Sequence, residues 1–307
     1  MTADPFLITG PALISCSGGR TSAYMLWRIL QAHGGTLPGD VVVAFANTGK
    51  EREETLRFVH ECGTRWGVRV RWVEWRPQHA MDGDLLAADP AGFEEVGYNS
   101  ASRAGEPFED MVRRKQMLPN VTMRFCTTKL KVDTMRRLML SLGHQHWLNP
   151  VGLRYDEGHR VLKQLARNDA GKQRYKAVMP LATGRVTKPD VMRFWLGPSG
   201  RFPSSTLPQG FDLGLRDHEG NCDLCFLKGR GALARLIADG ADAGWWVRME
   251  AETEARGKMR DRRMMRFSKD RSYAELVRDA AQPLLITDDM VDEHDAECGL
   301  WCGSLAA

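Results

Sequence analysis

The stretch Ser15-Cys16-Ser17-Gly18-Gly19-Arg20-Thr21-Ser22 sets two glycines and several hydroxyls between an apolar run and a helical pattern. A strand that ends in a glycine turn and opens a helix presents free backbone N–H groups, and the helix dipole adds to their attraction for an anion. A phosphate fits such a turn. The spacing is neither Gly-x-x-x-x-Gly-Lys-Ser/Thr nor Gly-x-Gly-x-x-Gly, which disfavours a Walker-type phosphotransferase and weakens a dinucleotide reading. Without further context, the same two glycines equally make a plain tight turn.

The cysteines are the second set of chemical residues. Seven is an odd number for so long a chain, which argues against a disulfide framework and for metal or redox chemistry. Cys222 and Cys225 form a Cys-x-x-Cys, Cys126 lies upstream in Arg-Phe-Cys-Thr-Thr-Lys-Leu-Lys, and Cys298 and Cys302 close the chain in Glu-Cys-Gly-Leu-Trp-Cys-Gly. Thiolate sulfur suits an iron–sulfur cluster or zinc, and four ligands close either site. The count permits Cys126, Cys222, Cys225 and one of Cys298 and Cys302; a lone Cys-x-x-Cys also serves as a redox pair. Cys16 in a strand and Cys62 on the apolar side of a helix read as inert core residues.

These residues need a frame. Ala12 to Ser17 reads as a short buried strand, with a helix through Tyr24, Leu26, Ile29 and Leu30. Asp40 to Ala46 is a second buried strand, followed by helical spacing through Leu56, Val59 and Cys62, and Val68 to Trp75 is a third. Such alternation predicts an α/β fold: a doubly wound, Rossmann-like, mainly parallel sheet with right-handed crossovers. From Pro77 to Asn120 the periodicity fails, and the stretch reads as an insertion or lid. Helical spacing returns over Thr127 to Leu142, and His146 to Gly152 reads as another strand. The α/β domain is expected over 1–196. A Pro-, Gly- and Ser-rich stretch after Gly197 then marks a smaller cysteine-bearing lobe over 197–307.

Hydrophobic residues at 43% and charged residues at 27% of 307 exclude disorder as the main state. A net charge of +4 permits an anionic ligand without demanding nucleic acid. The opening MTADPFLITG lacks a basic start with a long apolar run, and no later stretch approaches the roughly 20 apolar residues of a spanning helix. A cytoplasmic protein that makes no membrane contact is expected. Arg256 to Arg271 concentrates positive charge that could close over a nucleotide, touch a nucleic-acid backbone or form a solvated basic helix. Trp245 and Trp246 read as a helix packing face. The histidines show no paired ligand spacing.

Ser-Gly-Gly-Arg-Thr-Ser, followed by Asn47-Thr48-Gly49-Lys50-Glu51, resembles the PP-loop superfamily of adenine-nucleotide hydrolases and, within it, the phosphoadenylyl-sulfate (PAPS) reductase family. Arg124 to Lys131, Val151 to Arg160 and Met179 to Trp195 extend the resemblance over most of residues 12 to 230. It implies that Ser17, Gly18, Gly19, Thr21 and Ser22 hold phosphate or sulfate groups, and that Asn47, Thr48, Gly49, Glu51, Gly152, Arg154 and Glu157 line the nucleotide pocket. Arg154 could bracket a phosphate with its planar fork. Glu51 and Glu157 would orient a ribose or magnesium ion, or act as ordinary helix-start carboxylates paired to a nearby Arg.

In the reductases of that family a Cys-Cys pair and a Cys-x-x-Cys hold the cluster, and a Glu-Cys-Gly-Leu-His tail supplies the nucleophile. Here Phe125 precedes Cys126 and Trp301 stands where the His would be. The resemblance thus implies a 4Fe–4S cluster, with zinc as the alternative, on Cys126, Cys222, Cys225 and Cys302. Cys298 would be the catalytic nucleophile or an alternative fourth ligand. The DNA-phosphorothioation branch and its phage relatives also keep dispersed cluster cysteines. The expected function is an enzyme of redox or sulfur transfer that uses ATP, PAPS or adenylyl sulfate and draws on a thioredoxin-like reductant. One alternative is an ATP pyrophosphatase that adenylates a nucleic acid or small molecule for sulfur insertion. Another is a non-catalytic, zinc-stabilised protein that binds nucleotide or nucleic acid.

Overall fold

The computed structural model describes residues 4–197, 210–216, 218–256 and 265–281. Its first half runs β1 (Ala12–Ser15), α1 (Arg20–Ala32), β2 (Val41–Asn47), α2 (Glu53–Arg65), β3 (Val70–Trp75), β4 (Phe93–Val96) and α3 (Glu106–Lys115). A π-helical segment, Cys126–Asp133, runs directly into α4 (Thr134–Ser141). The chain continues through β5 (Trp147–Pro150), α5 (Gly158–Asp169), β6 (Tyr175–Val178), α6 (Pro180–Thr183) and α7 (Lys188–Leu196). The helices α8 (Arg230–Ala238), α9 (Gly244–Ala255) and α10 (Tyr273–Ala280) follow.

The six strands form one sheet in the order β4-β3-β2-β1-β5-β6, parallel except for β4, which pairs antiparallel with β3. This is the doubly wound α/β layout that the strand–helix alternation predicts. Side chains of a strand alternate between its faces, so a strand covered on both sides is apolar at every position. β1 and β2 show this directly. Ile14, Val43 and Phe45 pack with Leu26 of α1, Phe58 of α2 and Trp195 of α7, whereas Leu13, Val42 and Ala44 pack with Met135, Leu138 and Met139 of α4.

The stretch 77–120, aperiodic in sequence, contributes β4 and α3. β4 is an edge strand on which only Phe93 is buried, so it carries no alternating signal. A further core joins Phe108 and Met111 of α3 and Leu130 of the π segment to Leu224, Phe226, Trp246, Phe267 and Tyr273. The five-residue step from Leu130 to Met135 spans the change from π to α geometry, and it sends the first side chain into this core and the second against the sheet. Among the described residues no helix is long and apolar enough to cross a membrane.

Candidate functional site

β1 and β5 lie side by side in the sheet, and the chain winds outward from them in opposite directions. In open parallel sheets a ligand crevice forms where the winding reverses, beyond the carboxyl ends of the strands. Here that place is bounded by the turn after β1 and the loop after β5. Gly18 has φ +80°, and a Cβ there would lie 2.3 Å from Thr55 Cγ2. Both the backbone and the packing therefore require glycine. Gly19 caps α1 in an extended conformation and contributes no side-chain acceptor, and the first turn of α1 carries no acidic residue. Ser22 closes the turn: its hydroxyl accepts from Ser17 N at 3.2 Å and Ser17 Oγ at 2.9 Å and donates to Gly19 O at 3.0 Å. The helix end thus keeps the partial positive charge that draws an anion.

After β5, Gly152 passes beside α1, its position for a Cβ 3.6 Å from Ser22 Cα. Arg154, only 3% exposed, points Nη1 at Thr21 Oγ1 at 3.2 Å and Nε at Asp156 Oδ1 at 3.2 Å. Glu157 accepts from the Arg154 backbone N at 2.9 Å and pairs with the side chains of Arg154 and Arg160. Glu157 is thus a carboxylate paired to nearby arginines. The fold therefore brings Ser17, Gly18, Gly19, Thr21, Ser22, Gly152, Arg154 and Glu157 to one place.

The loop after β2 forms the next wall. Asn47 Nδ2 donates to Glu74 Oε1 at 2.6 Å and Ser102 O at 2.8 Å, and its Oδ1 accepts from Gly49 N at 3.2 Å. Gly49, at φ +80°, would place a Cβ 3.0 Å from Gly105 Cα. Thr48 donates through its backbone N and its hydroxyl to Glu51, at 2.8 and 2.9 Å. The Glu51 carboxylate is fully buried, with Lys131 Nζ at 3.3 Å and Cys222 Sγ at 4.0 Å. Its cation is thus a lysine of the π segment rather than an arginine.

The Cys-x-x-Cys loop is laced to this wall. Glu51 and Cys222 form an antiparallel bridge, Asp223 N donates to Lys50 O at 3.0 Å, and Lys50 Nζ meets Asp223 Oδ2 at 2.7 Å. Asn221, which sequence reading missed, reaches the glycine turn itself: its Nδ2 donates to Ser17 O at 2.9 Å. Its only signal in the sequence is its place directly before Cys222. Buried Lys228 donates to the carbonyls of Cys222 and, at 2.9 Å, Asp223. Burial lowers its pKa, against the opposing pull of Cys225, Cys222 and Asp223.

Cys126 packs on the same core as Leu224 and Phe226, so it and the Cys-x-x-Cys border one cluster. Among the described residues, however, no three His, Cys, Asp or Glu side chains gather into a group that could hold a metal. Cys298 and Cys302 lie outside the described residues. Burial pushes the Cys16 thiol up to about 11 and Cys62 well above its ordinary value, so both stay protonated at neutral pH. Trp245 and Trp246 are core residues of α9. In the basic stretch, Arg271 pairs with Asp279 at 2.6 Å and Arg266 lies 3.7 Å from Glu275.

The molecule is thus a doubly wound α/β protein with a glycine turn suited to an anion at its winding reversal and a cysteine loop bonded to that turn. No family model matches the chain. It is 29% identical over 219 residues to the uncharacterized nin region protein ORF290 of Escherichia phage lambda, a match covering 70% of this chain and 66% of that protein, just under two thirds of the relative's length. Among solved structures, it is similar to the U34-tRNA thiolase NcsA from Methanococcus maripaludis with its 4Fe–4S cluster. The TM-score is 0.32 at 11% identity, over 98% of this chain and 83% of the other. A score of that size does not establish a shared backbone, and the site stands on its own residues.

Proposed function

We propose that the chain binds the phosphates of an adenine nucleotide between the β1 turn and Arg154 and uses that nucleotide for sulfur transfer at the adjoining cysteine loop. The observation that carries this reading is the Asn221–Ser17 hydrogen bond, which fixes the Cys-x-x-Cys against the phosphate turn. In the proposed reaction an acceptor oxygen attacks the α-phosphorus of ATP and pyrophosphate departs; a sulfur nucleophile from an external donor then displaces AMP from the acceptor. The turn N–H groups and Arg154 would steady the negative charge on the departing phosphates. Magnesium, when bound with the nucleotide, would offset part of the same charge.

A 4Fe–4S cluster would supply a sulfur-binding or electron-transfer centre. Its ligands would be Cys126, Cys222 and Cys225 with Cys302 or Cys298, a set that the described residues do not gather, so no step above runs through it. Zinc on the same thiolates would serve stability alone.

The reductase reading replaces ATP with PAPS or adenylyl sulfate. There the Cys298 thiolate attacks sulfur, the nucleotide leaves, and a thioredoxin-like dithiol reduces the resulting thiosulfonate to release sulfite. One anaerobic experiment separates the readings: incubation with ATP or PAPS while pyrophosphate, AMP and sulfite are measured, beside the metal content of wild type and Cys222→Ser. Nucleotide affinity should fall about 10- to 100-fold in Arg154→Ala, the loss expected for a charge-assisted contact. Absence of nucleotide binding in the wild type, or an unchanged affinity in Arg154→Ala, would overturn the assignment of this crevice.

A further inference from the structure

The opposite end of the sheet carries a cavity whose features are independent of the nucleotide reading. There the residues before β1 and the starts of β5 and β6 frame an open cavity of about 420 Å³. His146, Arg167, Arg174 and Lys176 line it, together with Trp147, and no acidic side chain does. Asn168 holds α5 to β6 by accepting from Ala177 N at 3.0 Å and donating to Ala177 O at 2.8 Å, so the cavity wall is fixed. Arg174 donates to Gln145 Oε1 at 3.1 Å; among the described residues none of Arg167, Arg174 and Lys176 has a carboxylate within ion-pair distance. Trp147 is 4% exposed, and its indole N–H is buried without a hydrogen-bond partner.

The charge continues beyond the cavity. Between residues 159 and 176, Arg160, Lys163, Arg167, Lys172, Arg174 and Lys176 face a single acid, Asp169. Among the described residues, Arg160 is the one of these that pairs with a carboxylate, that of Glu157. The helix α5 shows all but Gln164 of its side chains at least partly to solvent. Its 12 residues rise about 18 Å, the length of about five phosphates along one strand at about 3.4 Å each. A single phosphate or a mononucleotide would leave most of that row unmatched.

We propose that this edge of the sheet docks the phosphodiester backbone of a nucleic acid, with Arg167, Arg174 and Lys176 as its phosphate contacts. The face is distinct from the nucleotide crevice, since it lies at the amino ends of β1 and β5 whereas the crevice lies at their carboxyl ends. Backbone contacts of this kind position a polynucleotide without reading its sequence.

The test is fluorescence anisotropy of the full chain with a labelled oligonucleotide of about 20 nucleotides, single-stranded and as a duplex, across a salt series. Wild type should bind with strong salt dependence. The triple variant Arg167→Ala, Arg174→Ala, Lys176→Ala should bind at least about tenfold more weakly, with the log–log salt slope reduced by about 2 for the single strand. All three side chains are at the surface, so the melting temperature and the affinity for ATP should not change. Wild-type affinity and slope in the triple variant would place the contacts elsewhere, the basic stretch 256–271 being next in line, and would overturn the proposal. Displacement of the oligonucleotide by polyglutamate at equal charge would overturn it as well, assigning the face to an acidic polypeptide.

Discussion

The glycine turn and the cysteine loop touch each other but are held in place by different means. The turn after β1 is local: strand, Gly18, Gly19, the start of α1 and the Ser22 hydroxyl lie within a dozen residues, and the backbone itself shapes the turn. The cysteine loop has turns of its own, tied by Lys228, but its placement comes from distant parts of the chain. It is held by Lys50 and Arg52 from one part of the chain and by Tyr273 from another, whose hydroxyl donates to Leu224 O at 2.5 Å. Beneath it lies a core shared by α3, the π segment, α8, α9 and α10. A site made by backbone tolerates few substitutions at few positions. A site made by long-range packing is sensitive to the stability of everything that supports it.

The sharpest way to break this contrast is at Gly18. A side chain there meets Thr55 Cγ2 and must adopt φ +80°, costs that together reach several kcal/mol for a β-branched residue. Gly18→Val should abolish nucleotide binding and lower the unfolding midpoint. Gly19→Val, whose backbone is extended and whose Cβ would sit 3.4 Å from the Asn221 amide, should lose binding with the fold largely retained. Calorimetry paired with nucleotide titration reads both, and full binding by Gly18→Val would refute the account of the turn.

The cysteine side is better probed through pH. Glu250 of α9 accepts from Phe267 N at 3.2 Å and Tyr273 N at 2.8 Å, so it ties the last described segments to the shared core. Burial raises its pKa to about 7, against the two N–H donors and Arg266. A carboxyl whose pKa is higher folded than unfolded contributes stability that is complete below about pH 4.5 and is lost as pH rises through about 7. The shift corresponds to about 3 kcal/mol. Glu250→Gln should flatten that part of the stability profile in urea unfolding between about pH 5 and 8. An unchanged slope in the variant would mean that another group titrates there.

The smallest expected effect lies at the joint between the regions. Asn221→Ala removes one side-chain hydrogen bond to Ser17 O, worth about 1 kcal/mol. It should cost only a few-fold in nucleotide affinity but a larger factor in turnover, because the cysteine loop would no longer be fixed against the turn. Equal losses in both would show that Asn221 serves the turn alone.

The sequence reading succeeded where signals were short-range. Buried runs such as Val41 to Asn47, bounded by helical spacing, specify parallel strands because a strand covered on both faces must be apolar throughout. The residues around Gly18, Asn47 and Arg154 came from the family resemblance, and the structure sets each of them in the turn or loop that follows β1, β2 or β5. β4 and α3 escaped notice, since β4 is an edge strand with one buried residue and α3 buries Glu109 and Asp110 along with its apolar side chains. Asn221 escaped because its role depends on a partner 204 residues away.

The sequence by itself therefore determined the strand–helix alternation, the glycine conformation after β1 and the supply of thiols, all of which follow from side-chain size, periodicity and backbone freedom within a few residues. Only the tertiary structure decided that Glu51 would be buried between Lys131 and Cys222, that the cysteine loop would close on the glycine turn, and that Arg167, Arg174 and Lys176 would line a cavity at the far end of the sheet. Those outcomes depend on which surfaces the sheet order and the shared core bring into contact, and such contacts join residues whose distance along the chain carries no local periodic signal.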